Sequence, residues 1–384
     1  MFLNRFPTLV GTFIVSKFLG LLDRGWDVHV ICNRSELTQW ELFSQLQPRS
    51  ELQSRVHATP DRDAVLKTLM VLKPDIIHFE HGFSALGRMY LKEVLGCKVV
   101  VSFRGSDLKV YRLEDPNCYK EVWDGADALH LCGQHLWEYA QRRGCPSDKF
   151  HVVIPGGIDA VFFDHMERRH PDMVGILERP IRILSVGRLH WVKGYEYALE
   201  AVKLLVNQGI QCEYRIIGDG DHQPAVIFTI LDLKLDNVVH MLGGRPSSEV
   251  KGNMYWADVF LHAAVSEGFC IAVLEAQAMA LPIVCTDAGG LPEGVVDMET
   301  GFIVPRRDPQ ALAEKLLMLS KRAELRQRMG ETGRRWVETN FRMEDEISRF
   351  ERLYRQVLAL PPEPQTRTSE ISGSQVRNRQ IWEN

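Results

Sequence analysis

The 384-residue chain contains no CxxC pair: its eight cysteines, at 32, 97, 118, 132, 145, 212, 270 and 285, are never closer than 13 residues. Structural zinc sites use cysteines two to four residues apart, and small disulfide scaffolds are far shorter, so free thiols in a reducing compartment are expected. No apolar run approaches the ~18 residues needed to cross a bilayer. Met1–Arg5 lacks the basic segment and long apolar stretch of a secretory leader, which makes a cytoplasmic location the expectation. A charge excess is missing too. The 46 Lys and Arg against 50 Asp and Glu leave a net of −4, with no basic field for nucleic acid. Peripheral membrane contact through a local basic face, for example around Arg142 and Arg143, stays open. No internal repeat is visible.

What is present is apolar material, 45% of residues, enough for sizeable cores. Dividing the length by ~150 residues per domain gives between two and three. Short β-branched runs recur, among them Asp27–Cys32, Asp75–Phe79, Lys98–Phe103, Ala128–Cys132 and His151–Ile154. A second set follows at Arg182–Val186, Tyr214–Ile217, Val238–Met241, Asp258–Leu261 and Pro282–Cys285. Helical spacing fills the gaps, as at Leu199, Val202 and Val206, and Asp308-Pro309 reads as an N-cap followed by a first-turn proline. Near-continuous apolar strands alternating with helices predict an α/β fold with parallel sheets covered on both faces. The alternation pauses over 155–180. The domain boundary is therefore placed there: residues 1–155, then 156–340, a helix over 341–360 crossing back to the first half, and a polar tail over 361–384.

Two segments carry chemistry. In Ser266-Glu-Gly-Phe-Cys-Ile-Ala-Val-Leu-Glu275, Glu267 follows a strand and a helix is predicted to begin near Phe269. The amides of Gly268, Phe269 and Cys270 would then face an anion, and an ionised Glu267 would accept hydrogen bonds from hydroxyls. The plainer account is a glutamate favouring a helix dipole, with Glu275 solvated. In Ser185-Val-Gly-Arg-Leu-His-Trp-Val-Lys-Gly194, Gly187 allows a tight turn, and Arg188 and Lys193 set two cations at a strand's carboxyl end. A guanidinium fork and a mobile ammonium suit a diphosphate, although surface cations are commoner.

Together these segments resemble the retaining glycosyltransferases of family four, which have the GT-B architecture of two Rossmann-like domains with parallel sheets facing across a cleft. Ile154-Pro-Gly-Gly-Ile-Asp159, Ile217-Gly-Asp-Gly-Asp221, Asp287-Ala-Gly-Gly-Leu-Pro-Glu293 and Gly301-Phe-Ile-Val-Pro305 follow in the family's order, covering roughly residues 150–340. Arg5–Ile14 is similar to the exopolysaccharide branch, including the colanic acid type. The resemblance implies a first half that binds a glycan or lipid-linked acceptor and a second half that binds a UDP- or GDP-sugar. Arg188 and Lys193 would hold the departing diphosphate, Glu267 the transferred sugar, and Glu275 the ribose. No metal or other cofactor is implied. Gly11, Thr12, His81 and Arg104 are candidates for the cleft or the acceptor.

The chain departs from the family in places. Val10-Gly-Thr-Phe13 stands where relatives read Ser-Glu-Thr-Phe, Lys17 replaces an acidic or amide residue, and Arg104-Gly-Ser-Asp107 replaces a His-Gly-x-Asp segment. Ile271 and Ala280 stand for Asn and Gly. The opening Met1–Asn4 is shorter than the family's first strand. Asp219-Gly-Asp221 looks like a metal-binding DxD but reads as a strand-end turn. His78 fits a structural strand histidine better than a zinc ligand. Gly218 and Gly220 lack the third glycine of a dinucleotide fingerprint, where Gln223 stands, which argues against an NAD-dependent oxidoreductase. A non-catalytic nucleotide-sugar-binding subunit is the remaining alternative.

Overall fold

A computed structural model describes residues 1–8, 12–43, 45–59, 61–158 and 179–361. The boundary segment expected over 155–180 and the tail therefore fall mostly outside the described residues. The first sheet contains β1 (Phe2–Phe6), β2 (Val30–Ser35), β3 (Val56–Ala58), β4 (Ile76–Phe79), β5 (Lys98–Phe103), β6 (Ala128–Leu131) and β7 (His151–Val153), ordered 3-2-1-4-5-6-7. The second contains β8 (Ile181–Val186), β9 (Cys212–Ile217), β10 (Val239–Gly243), β11 (Val259–His262), β12 (Ile283–Thr286) and β13 (Gly301–Val304), ordered 10-9-8-11-12-13. Every pairing between these strands is parallel.

Parallel strands wound both ways from a central pair bury both faces, so successive residues of one strand enter different cores. In β5, Val100 joins one cluster while Val99 and Val101 join the other. In β8, Ile183 and Leu184 part in the same way. This is why the strands read as continuous apolar runs.

Five helices frame the site or join the halves: α1 (Thr12–Asp23), α2 (His135–Arg142), α3 (Tyr195–Asn207), α4 (Ile271–Ala278) and α5 (Met343–Leu358). The amphipathic α5 buries Met343, Ile347, Phe350, Leu353, Tyr354 and Val357 in the core that also holds Ile14, Val15 and Phe18 of α1. The chain thus crosses between the halves twice. At the crossing, Ile158 N–H donates to Phe341 O at 2.7 Å, Met343 N–H donates to Ile158 O at 3.2 Å, and Gly157 N–H donates to Glu346 Oε2 at 2.6 Å. A Cβ on Gly157 would lie 2.6 Å from Met343 Cα, so only glycine lets the two segments run this close.

Candidate active site

The strand order reverses between β1 and β4 in one sheet and between β8 and β11 in the other. Chains leaving such neighbours go to opposite faces and open a crevice at the carboxyl ends. From β8 the chain turns through Gly187, whose carbonyl accepts from Tyr195 Oη at 2.7 Å. One helical turn, Trp191–Lys193, then ends at Gly194 (φ +63°), where a Cβ would sit 2.2 Å from Ala263 O. Only glycine takes this backbone so close to the chain leaving β11, and the turn delivers Lys193 beside that chain. Arg188 is exposed and has no hydrogen bond or ion pair among the described residues.

β11 ends at His262, and Glu267 follows five residues later. Lys193 Nζ reaches Glu267 Oε2 at 2.6 Å, and His262 Nε2 reaches the same oxygen at 3.0 Å. The Gly268 amide donates to Oε1 at 3.1 Å. Burial would raise the Glu267 pKa, but Lys193 and His262 outweigh it and hold the carboxyl well below its usual range. Burial likewise opposes the charge on Lys193, yet Glu267 keeps its pKa above the ordinary lysine value. The third member, His262, loses to burial but gains more from Cys270 and Glu267, which lift its pKa from 6.5 to about 9. A histidine raised in this way stabilises the fold fully below pH 6.5 and progressively less up to pH 9. The urea midpoint should therefore fall between those pH values, and His262→Gln should flatten the fall. Equal pH slopes for the wild type and His262→Gln across that interval would remove His262 from the charge cluster.

His262 Nε2, a Glu267 carboxylate oxygen and Cys270 Sγ lie within 4.8 Å of one another, a separation that could hold a metal ion. The Lys193 ammonium already occupies Glu267 Oε2, so an ion pair accounts for the grouping. Asp219 Oδ2 accepts from Gly244 N–H at 2.8 Å, as a strand-end turn requires.

Helix α4 begins at Ile271, with Cys270 as an extended N-cap (φ −100°, ψ 97°), and this corrects the expected start near Phe269. The reason is tertiary. Phe269 packs against cores of both halves, with its ring 5.7 Å from Phe341, and this holds it out of the helix. The first-turn amides at the helix start are accordingly those of Ile271, Ala272 and Val273, while the Gly268 amide is taken by Glu267. Glu275, half-buried, lies one turn into α4.

The opposite wall comes from the first half. The backbones of Arg104–Gly105 and Glu267–Gly268 are in contact: a Cβ on Gly268 would fall 2.0 Å from Arg104 O, and one on Gly105 2.6 Å from Gly268 Cα. Lys109 Nζ reaches over to Glu267 O at 3.0 Å. The Arg104 guanidinium turns inward, donating to Glu80 Oε2 at 2.7 Å and Glu80 O at 3.1 Å, and covers the Phe13 ring. Its charge is therefore shared with Glu80. Glu80 also binds Lys17 Nζ at 2.7 Å, with both side chains wholly buried. His78 is partnered throughout, by Lys17 at 3.2 Å, Tyr354 at 2.7 Å and Ser102 at 2.7 Å, as a structural histidine should be. His81 stacks on Phe83 at the end of β4, with Nδ1 3.8 Å from Asp107 Oδ1.

Of the residues singled out from the sequence, Lys193, Glu267, Gly268 and Cys270 come together, Gly187 and Arg188 lie on the same turn as Lys193, and Glu275 stands on the helix behind. Gly11 is outside the described residues. Thr12 opens α1, and its side chain is outside them as well. Arg143 corrects the suggested basic face: its guanidinium is buried and donates to carbonyls of Tyr111, Arg112 and Asp115 at 2.7–2.9 Å. Glu80, Lys109, His262 and the contact between Glu293 and His135 were not anticipated. Among the described residues no helix is long and apolar enough to cross a membrane.

Residues 167–336 match the family model described as glycosyl transferases group 1, and residues 10–162 match glycosyltransferase family 4. The chain is 32% identical over 255 residues to the amylovoran biosynthesis glycosyltransferase AmsK of Erwinia amylovora, a match spanning 64% of this chain but only 61% of that relative. It is 29% identical over 373 residues to a Salmonella typhimurium protein named as colanic acid biosynthesis glycosyltransferase WcaL, spanning 83% and 90% of the two chains. In fold it is similar to Anabaena HepE in complex with UDP-glucose, with a TM-score of 0.77 at 16% identity, covering 92% of this chain and 98% of that one. Sucrose-phosphate synthase from Thermosynechococcus elongatus gives 0.73 at 18% identity, covering 91% and 93%.

Proposed function

The chain belongs to the group 1 glycosyltransferases, with an amino-terminal half of the family 4 type, and we propose that it transfers a sugar from a nucleoside-diphosphate sugar to a hydroxyl of a glycan or lipid-linked acceptor in exopolysaccharide assembly, retaining the anomeric configuration. The observation that carries this reading is the ionised Glu267 held by Lys193 and His262 at the switch point of the second sheet. The AmsK and WcaL names support the polysaccharide context.

In this mechanism the second half binds the donor. The exposed Arg188 and the ammonium of Lys193 neutralise the diphosphate, together with the first amides of α4. Glu267 accepts hydrogen bonds from hydroxyls of the transferred sugar, and Glu275 from the ribose. The C–O bond to the diphosphate breaks with its electron pair going to phosphate oxygen, the acceptor oxygen bonds to the anomeric carbon from the same face, and the hydroxyl proton passes to the leaving phosphate oxygen. Fixed cations stabilise the charge as it appears, without reorganising during the step, and the contact from Gly105 to Gly268 brings the acceptor half close enough to orient the attacking hydroxyl. No resident metal is required by this scheme. A UDP- or GDP-sugar is the expected donor, and the working location is the cytoplasm, with peripheral contact where the acceptor is lipid-linked.

Binding to the folded state alone raises apparent stability by about 2.7 kcal/mol at a hundredfold excess over Kd. A panel of UDP-, GDP- and dTDP-sugars should therefore contain at least one donor that raises the Tm, and NMR of the product should show retention. A folded sample that no donor shifts, or an inverted product, would refute the assignment.

A further inference from the structure

The loop Asp287–Glu293 of the second half is wedged between the site and the first half. A Cβ on Gly289 would fall 2.1 Å from Glu267 O and 2.4 Å from Lys109 Nζ; one on Gly290 would fall 2.1 Å from Gly268 O and 2.9 Å from His135 Cε1. The Gly290 amide also donates to Glu267 O at 3.3 Å. In the helical turn Leu291–Gly294 that follows the two glycines, Glu293 closes the amino terminus of α2: Gln134 N–H donates to Oε2 at 2.7 Å, His135 N–H to Oε1 at 2.9 Å, and His135 Nδ1 lies 2.6 Å from Oε1. A helix cap is ordinarily supplied by a neighbour in sequence. Here it comes from 158 residues away, on the other half.

We propose that Glu293 is a positioning residue: by holding α2 it latches the two halves and presses Gly289 and Gly290 against the backbone of Glu267 and Gly268, which sets the Glu267 carboxylate for transfer. The inference rests on the glycosyl-transfer reading for its effect on rate, but the latch itself is independent of it. The side-chain contacts of Glu293 among the described residues go to Gln134 and His135 and to none of the residues assigned to the donor. Donor affinity resides mainly on Arg188, Lys193 and Glu275, so a displaced Glu267 should weaken it only modestly.

The test is Glu293→Gln, which keeps the size but turns an NH2 group toward the amides of α2. With the wild type transferring sugar, E293Q should lower kcat about tenfold while donor Kd rises no more than about threefold and Tm falls by only a few degrees, the scale of one lost helix cap. His135→Asn should do the same, and the double variant should fall no further, since two residues of one contact are non-additive. A kcat within twofold of wild type, or fully additive losses, would overturn the proposal. Small-angle scattering without donor separates the two readings: E293Q should be more extended than wild type, and identical curves would overturn the latch whatever the enzyme's activity. If the wild type binds no nucleotide sugar while E293Q still opens, the latch stands and the transferase reading fails.

Discussion

Replacing Lys193 with alanine is expected to lower kcat by about 10²–10³-fold at saturating donor, the scale seen when one preorganised electrostatic group is removed. Two losses coincide. The departing diphosphate loses a cation fixed by the Trp191–Gly194 turn, and Glu267 loses the nearer of the two cations on Oε2, at 2.6 Å against 3.0 Å for His262. With its largest attractive partner gone, the Glu267 pKa should climb from its depressed value. The carboxylate's grip on the sugar weakens along with the diphosphate site. Lys193→Arg keeps the charge but brings a bulkier planar fork into a partly closed site, so partial activity is expected. Single-turnover kinetics with saturating donor would measure the effect on the chemical step. A K193A rate within threefold of wild type would remove Lys193 from the reaction.

Replacing Glu80 with alanine should cost about 3–5 kcal/mol of stability, the scale for breaking a buried ion pair by removing one partner. Among the described residues Glu80 is the single carboxylate bonded to Lys17 and Arg104, at 2.7 Å each, and the Lys17 side chain is wholly buried beneath the Phe350 ring. Burial already pulls the Lys17 pKa down to about 8 against the opposing pull of Glu80. Without Glu80, Lys17 must shed its proton or stay charged in an apolar core, and Arg104 loses the carboxylate that turns it away from the cleft. Glu80→Gln keeps an acceptor for one cation and should cost less. The urea transition followed by the buried Trp40 and Trp123 reports on this half. A loss below about 1 kcal/mol, the ceiling for an exposed pair, would show that the cluster does not hold the charges together.

The α/β architecture could be read from the chain because both faces of each sheet are covered, so β-branched runs such as Lys98–Phe103 and Arg182–Val186 stand out without alternation. The edge strand β3 escaped. β3 has three residues, and only Val56 among them is buried, so too little apolar surface marks it. Lys193 and Glu267 could each be singled out because each sits at a strand exit whose glycines announce a turn, but nothing in the sequence told that they would pair with each other. The polar network around Glu80 was not, because its members come from α1, β4 and the exit of β5, and nothing local requires Lys17 to meet a residue 63 positions away. The start of α4 was misplaced for a similar reason: Phe269 has adequate helix propensity, but packing between two cores decides its backbone.

The return of α5 across the crossing at Gly157 and Met343 bears on how such chains can be recombined. Both matched family segments end before this helix begins, at 162 and 336, yet α5 supplies six side chains to the core of the first half. A chimera made with a single junction at the end of the first matched segment would join one protein's α1 to another's α5. The heritable unit is therefore discontinuous. An exchanged second half should be cut out between the two crossings, leaving both ends of the host chain to rebuild a single core.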